Sequence, residues 1–315
     1  MEEASASYDC ESYGGVHDIQ YDYLGRRLAT ATADAIVRIW SVEKHEVIAE
    51  LQGHKAPTVC LSWGQSRYAS TLASASDDGH VIVWREKAGT WQIIHQLNVT
   101  GCVSELAFCP PDYGLMLAIG GFEEVGVLTV VTAKEIMASP VQPAGEQWLV
   151  KALPAHDGGI VGLSWAPSSS AATLATGPAV SRAATHAPRR LATAGIDGAI
   201  CIWHLDPKTQ TWTRQHTLRD EQTQGAIRGV AWRPNPGIPC SLLMSCTEDG
   251  NISSWIQDMD GQPWQLKTSW QVQGDARRLT WSRGGTLLAV SVGDEGSLLF
   301  KEGAKGEWQQ ISDEF

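Results

Sequence analysis

The chain has 315 residues with 24 basic and 35 acidic side chains, a formal net charge of −11. That balance repels nucleic acid and anionic lipid surfaces, so neither direct nucleic-acid contact nor direct membrane insertion is expected. Hydrophobic residues at 43% support a large core and exclude general disorder, and the 14 Trp outnumber the 6 Tyr and 4 Phe together.

The opening Met1-Glu2-Glu3-Ala4-Ser5 is acidic and lacks the apolar core of a secretory signal. No apolar run approaches the roughly 18 residues of a membrane span, so a soluble intracellular protein is expected, with residues 1–15 a flexible lead-in. Seven cysteines (Cys10, Cys60, Cys102, Cys109, Cys201, Cys240, Cys246) form no CxxC pair, which predicts reduced thiols rather than disulfides or metal ligands.

One pattern then recurs down the chain: Leu, a small residue, an acid, and alternating apolar residues ending in an aromatic. The copies are Leu28–Trp40 with Asp34, Leu72–Trp84 with Asp78, Leu191–Trp203 with Asp197, Leu243–Trp255 with Asp249, and Leu288–Phe300 with Asp294. A weaker copy starts at Leu117 and passes Glu123 or Glu124 toward Val130. Each predicts a β-hairpin, and Asp78-Gly79, Asp197-Gly198 and Asp249-Gly250 are the dipeptides that accept positive φ in a tight turn.

A second aromatic precedes each hairpin (Tyr21, Trp63, Phe108, Trp165, Trp232, Trp281). A third follows (Trp91, Trp148, Trp212, Trp264, Trp308), with Val47 in that place in the first copy. Four short strands per unit and six units predict an all-β, six-bladed β-propeller forming a single domain over residues 1–315. Two insertions stretch the third-to-fourth interval: residues 138–145 and the Ala-, Ser-, Thr- and Pro-rich 168–190, expected to be a mobile loop. Trp270 fits none of the three aromatic positions. It is expected to begin the sixth unit's approach strand or to lie exposed as a contact residue.

Gly53-His54, Ala155-His156, the Asp-Gly turns and the terminal Trp residues resemble the WD-repeat family. Within it, several stretches are similar to the propeller subunits of the coat complex II outer cage, a type shared with the Y-shaped nuclear pore scaffold. They are His17-Asp18 through Thr30, Trp84-Arg85-Glu86 with Gly89-Thr90-Trp91, Pro111–Leu115 and Arg228–Trp232. The resemblance runs from about His17 to Trp308. It implies that loop His, turn Asp and Trp indole form a buried hydrogen-bond network in each blade. That assigns structural roles to His54, Asp78 and Trp84, to His156, Asp197 and Trp203, in part to His17, Asp34 and Trp40, and to Asp249 and Trp255.

Ring closure normally needs a first strand lent to the last blade. The stretch Ala4–Asp9, where that strand would lie, lacks Trp and β-branched residues, while Trp308-Gln309-Gln310-Ile311 gives the last blade its own outer strand. An open ring is therefore expected, its first and sixth blades presenting apolar surface and unpaired edges. The resemblance implies that a partner inserts a blade there. The residues expected to line the gap are Val16, Ile19, Tyr21 and Leu28 from the first unit and Leu279, Leu298, Trp308 and Ile311 from the sixth. A closed ring remains the alternative.

Enzyme motifs are missing: there is no HExxH, P-loop or GxGxxG, and Gly162-Leu163-Ser164-Trp165-Ala166 lacks the last Gly of a nucleophile elbow. Asp77-Asp78 is not expected to bind metal, and Arg189-Arg190 reads as a solvated loop end. No catalytic, cofactor-binding or metal residue is assigned. The resemblance implies a non-enzymatic scaffold joined to an α-solenoid coat protein or nucleoporin, at endoplasmic reticulum exit sites on coated vesicles or at nuclear pores. The alternatives are a general WD-repeat adaptor reading a peptide on its top face, or an enzyme with a site in the central channel.

Overall fold

Twenty-four strands carry the regular structure of the computed structural model, which describes residues 13–64, 70–136, 145–168, 188–220, 225–234, 240–259, 261–293, 296–303 and 306–311. The expectations for the lead-in, both insertions and Asp294 fall on residues lying wholly or largely outside this set.

Blade 1 comprises β1 (Val16–Tyr21), β2 (Arg27–Thr32), β3 (Ile36–Ser41) and β4 (Glu46–Gln52). Blade 2 comprises β5 (Thr58–Trp63), β6 (Thr71–Ser76), β7 (His80–Lys87) and β8 (Thr90–Asn98). Blade 3 follows with β9 (Cys102–Phe108), β10 (Leu115–Phe122), β11 (Gly126–Ile136) and β12 (Gly145–His156). Blade 4 is β13 (Ile160–Trp165), β14 (Arg190–Gly195), β15 (Ile200–Leu205) and β16 (Trp212–Leu218). Blade 5 is β17 (Ile227–Trp232), β18 (Ser241–Thr247), β19 (Asn251–Gln257) and β20 (Gln265–Gln271). Blade 6 is β21 (Ala276–Trp281), β22 (Leu287–Val292), β23 (Gly296–Glu302) and β24 (Trp308–Ile311).

Each blade is a four-stranded antiparallel sheet paired in chain order. The fold class is thus all-β, of the six-bladed WD-repeat propeller type. The chain divides into two compact units, Met1–Leu153 and Pro154–Phe315.

Strand register explains why the repeat reads as it does. Leu72 stands opposite Trp84 while Ala73 stands opposite Val83, so the period-2 alternation sorts each blade into two faces. On the Trp face of blade 2, Leu61, Leu72, Ile82 and Trp84 pack against Ala29, Ala31, Val37 and Ile39 of blade 1. On its Ala face, Ala73, Ala75, Val81 and Val83 pack against Leu106, Phe108, Leu117 and Ile119 of blade 3. The second unit repeats the rule. Ala192, Ala194, Ile200 and Ile202 of blade 4 meet Trp232, Leu243 and Trp255 of blade 5. Met244, Cys246 and Ile252 of blade 5 meet Leu279, Leu288, Val290 and Phe300 of blade 6. Strands buried on both faces leave room only for small or apolar side chains, which is why β6 is made of Leu, Ala, Ser and Thr and β14 continues after Arg190 with Leu, Ala, Thr and Gly.

Three details depart from the sequence-based expectations. In blade 3, Leu117 stands opposite Val131, not Val130, because β10 and β11 are longer and stay paired out to Phe122–Gly126. Trp270 lies on β20, the outer strand of blade 5, opposite Ile252, and stacks on Trp308 with centroids 5.6 Å apart. It fits neither expectation: its ring seals the outer end of the blade 5–6 junction together with Phe300. Arg190 is not a solvated loop end either. It is buried, donates from Nη1 to Gln257 Oε1 at 2.7 Å and from Nη2 to Ser241 Oγ at 3.0 Å, and sits over Trp232.

Candidate functional site

Polar networks run through the blades from the hairpin turns to the indoles. In blade 2, Trp84 Nε1 donates to Ser74 Oγ at 2.8 Å, Ser74 Oγ meets His54 Nε2 at 2.8 Å, and His54 Nδ1 faces Asp78 Oδ2 at 3.4 Å. Lys55 N also donates to Asp78, closing the loop onto the turn. Blade 4 repeats this: Trp203 Nε1 donates to Thr193 Oγ1, His156 Nε2 meets Thr193 Oγ1 at 2.8 Å, and His156 Nδ1 lies 3.0 Å from Asp197 Oδ1. Both ring nitrogens of each histidine are thereby committed to the fold.

The two histidines titrate in opposite senses. Burial pushes His54 below its ordinary value, and Asp78 does not offset it. Burial also disfavours the His156 cation, but Cys201 and Asp197 outweigh it and hold His156 above its ordinary value. Cys201, His156 and Asp197 superficially match a nucleophile set. Cys201 is buried, however, with its sulfur against Ala155 O and Arg214 Nη1. Burial works against the Cys201 thiolate, yet His156 and Arg214 draw the thiol below its usual range.

Blades 1 and 5 build the network without histidine. His17, expected beside Asp34, instead places Nδ1 2.9 Å from Thr58 O of blade 2. Asp34 is held by Arg38 Nη2 at 2.6 Å and Thr32 Oγ1 at 2.7 Å, while Trp40 Nε1 donates to Thr30 Oγ1. Burial disfavours the Asp34 carboxylate, but these bonds outweigh it and hold its pKa low. The buried Arg38 also reaches Glu50 Oε1 at 3.0 Å and carries the Tyr13 ring, centroid 3.5 Å away. In blade 5, Trp255 Nε1 donates to Ser245 Oγ and Thr247 Oγ1 donates to Asp249. At Gly225, facing that carboxylate, a Cβ would come within 2.9 Å of Asp249 Oδ1, so no larger side chain fits. Among the described residues, no group of three or more His, Cys, Asp or Glu is placed to hold a metal, and no helix is long and apolar enough to cross a membrane.

The outermost faces of the series differ from the rest. On the Trp face of blade 1, Ile19 and Tyr21 are 50% and 57% exposed. Their counterparts at the same repeat positions, Leu61 in blade 2 and Trp232 in blade 5, are 1% and 5% exposed. On the Ala face of blade 6, Ala289 and Leu299 are half-buried and Ser297 is exposed, while Ala192, Ile202 and Ile200 of blade 4 are fully buried. Along β22 the burial alternates: Leu288, Val290 and Val292 are covered by blade 5, and Leu287, Ala289 and Ser291 are half open.

The eight residues expected to line the gap separate accordingly. Val16, Ile19 and Tyr21 lie exposed on blade 1, and Ile311 pairs with Leu299 on the open face of blade 6. Leu28 is buried on the blade 1 Trp face. Leu279, Leu298 and Trp308 belong to the opposite face of blade 6, packed against blade 5, so for them the expectation is corrected. Leu287, Ala289, Thr280 and Leu299, which were not among the expected residues, lie on the open face of blade 6. The signal was present: Ala289 and Leu299 follow the parity of Ala73 and Val83, which point forward along the blade series, whereas Leu298 has the parity of Ile82, which points back.

Residues 147–204 match the family model described as WD domain, G-beta repeat, and residues 6–66 match the one described as anaphase-promoting complex subunit 4 WD40 domain. Protein transport protein SEC13 of Cryptococcus neoformans is 33% identical over 330 aligned residues, covering 95% of this chain and 94% of that protein. Protein transport protein sec13 of Aspergillus fumigatus is 31% identical, covering 94% of this chain and 95% of the relative.

The chain belongs to the Sec13 family of WD-repeat proteins.

The Protein SEC13 homolog of Drosophila melanogaster, 31% identical over 96% of this chain and 82% of its own, extends the family relation beyond fungi. A chain of the solved structure described as Crystal Structure of Mitotic Checkpoint Complex shares the fold at a TM-score of 0.65 and 20% identity, covering 95% of this chain and 75% of that one.

Proposed function

We propose that this chain is a non-enzymatic scaffold whose blade 1 Trp face and blade 6 Ala face together receive a β-blade from a partner, completing the propeller in trans. The donor is an α-solenoid protein, and the assembly is the outer cage of vesicle coats serving transport from the endoplasmic reticulum, with the nuclear pore Y-shaped scaffold as a second setting. The protein accordingly resides on the cytoplasmic side of endoplasmic reticulum exit sites and coated vesicles and at the nuclear envelope. The relatives, named as protein transport proteins, support the transport setting.

One observation carries the blade-completion reading: Ile19 and Tyr21 are half exposed, whereas the counterpart of Ile19 is buried in every other blade and that of Tyr21 is buried or half-buried. Strand pairing plus burial of a whole face makes such an interface extensive and tight. The test is affinity purification of the tagged full chain from cells, with co-purifying proteins identified, beside the same chain carrying Ala289→Asp. A large solenoid protein captured by the parent and lost with the variant supports the reading. A solitary, monodisperse and heat-stable chain that captures no solenoid protein overturns it.

A further inference from the structure

The junctions inside each unit follow a polar rule that the free face of blade 6 is equipped to continue. In blades 1, 2, 4 and 5 the residue before the inner-strand aromatic accepts a hydrogen bond from the next blade's aromatic residue. Where that residue has a hydroxyl, the hydroxyl accepts a main-chain N–H: Phe108 N donates to Ser62 Oγ at 3.0 Å, and Trp232 N donates to Ser164 Oγ at 2.8 Å. Where it has none, its carbonyl accepts an indole N–H: Trp63 Nε1 donates to Gln20 O at 2.9 Å, and Trp281 Nε1 to Ala231 O at 3.3 Å. One junction of each kind occurs in each unit.

Thr280 holds this position in blade 6. It stands opposite Ala289, as Ser62 stands opposite Ala73 and Ser164 opposite Ala192. It carries the hydroxyl of the first kind of junction, on the Ala face, and it is exposed. In blade 1, Tyr21 occupies the aromatic position and is exposed.

We propose that Thr280 Oγ1 is the acceptor for the main-chain N–H of an aromatic residue on the innermost strand of the inserted blade. The inference rests on the blade-completion reading and specifies its partner. The inserted strand carries a small acceptor residue followed by an aromatic, as in Ser62-Trp63 and Ser164-Trp165. The aromatic residue engages Thr280, and the acceptor before it serves Tyr21. Burying that N–H without Thr280 leaves a donor unpaired in a dry junction, so the hydroxyl selects register as well as affinity.

The test uses the full chain with a second copy of its own residues 219–274 fused to the C-terminus, a blade that follows a hydroxyl-bearing strand in the native order. Hydrogen–deuterium exchange reads protection of the appended copy's Trp232 amide. The expected result is strong protection in the parent, about a fivefold loss with Thr280→Val, and recovery with Thr280→Ser. Thr280→Val lies on an exposed position, and the unfused variant is expected to unfold as its parent does. Equal protection in Val and Thr fusions overturns the inference alone. No protection of the appended strand in any fusion overturns the blade-completion reading and this inference with it.

Discussion

The Ala faces of blades 4 and 6 are built on the same repeat but have different neighbours. Blade 4 presents Ala192, Ala194, Ile200 and Ile202, all buried under blade 5. Blade 6 presents Ala289, Ser291, Ser297 and Leu299 at the same positions, half open or exposed. The apolar pair at the centre is kept and the outer pair is replaced by serine. An apolar face covered within its own chain is free to be wholly greasy. One that stands half open must also survive uncovered, and two hydroxyls shrink the exposed apolar patch.

The largest test of this contrast is a charge at matched positions. Ala192→Asp buries an unpaired carboxylate and is expected to lower stability by about 3–5 kcal/mol, read as a shifted urea midpoint. Ala289→Asp is expected to change the solitary chain by less than about 0.5 kcal/mol, the range of ordinary surface substitutions, while abolishing partner capture. Equal destabilisation at both sites would mean that blade 6 is covered in solution.

Side-chain truncation sharpens the same comparison with a smaller effect. Ile202→Ala leaves a cavity in a sealed junction and is expected to cost about 2–4 kcal/mol. Leu299→Ala is expected to cost under about 1 kcal/mol in the free chain, because its surroundings are already solvated, and more once a partner blade is bound. Denaturant unfolding with and without the partner measures both.

The contrast between covered and uncovered blades was only half visible in the residues. Fold class, blade number and the hairpins were legible because the repeat places Leu, Asp and Trp at fixed offsets, and strand parity has few alternatives once a turn is anchored. The identity of the free faces was harder. Leu298 and Leu299 are adjacent and chemically the same, and only the register Val290–Leu298 against Ala289–Leu299 says which one points forward. His17 misled for a different reason: it resembles a loop histidine by type, but its ring reaches Thr58 of the next blade, and a buried Arg38 has taken its place at Asp34. That exchange is a tertiary choice with no local signature.

It also divides the blades by their response to pH. The covered blades 2 and 4 use histidine, whereas blade 1 uses a guanidinium that stays charged throughout. His54 is held below its ordinary 6.5, so the unfolded chain protonates first as pH falls. Its share of stability is present above that value and lost on acidification. His156 is held above 6.5, so its share is full below that value and fades as pH rises through the folded-state pKa. His54→Gln is expected to flatten the limb of the urea midpoint below pH 6.5, and His156→Gln the limb above it. A single shared effect of both variants on one limb would contradict these opposed environments.

The smallest expected effect concerns the turn of the same edge blade. Blades 2, 4 and 5 place Gly79, Gly198 and Gly250 at φ of 77°, 74° and 81°, while blade 1 places Ala35 at 67°. A Cβ in this left-handed region costs roughly 1–2 kcal/mol, and glycine recovers part of that against its greater freedom in the unfolded chain. Ala35→Gly is therefore expected to stabilise by up to about 1 kcal/mol, and Gly198→Ala, with open space around its missing Cβ, to destabilise by about 1 kcal/mol from backbone strain alone. Opposite signs in thermal unfolding would show that the edge blade holds a strained turn where covered blades hold relaxed ones. Matching signs would place the cost of Ala35 in contacts rather than in φ.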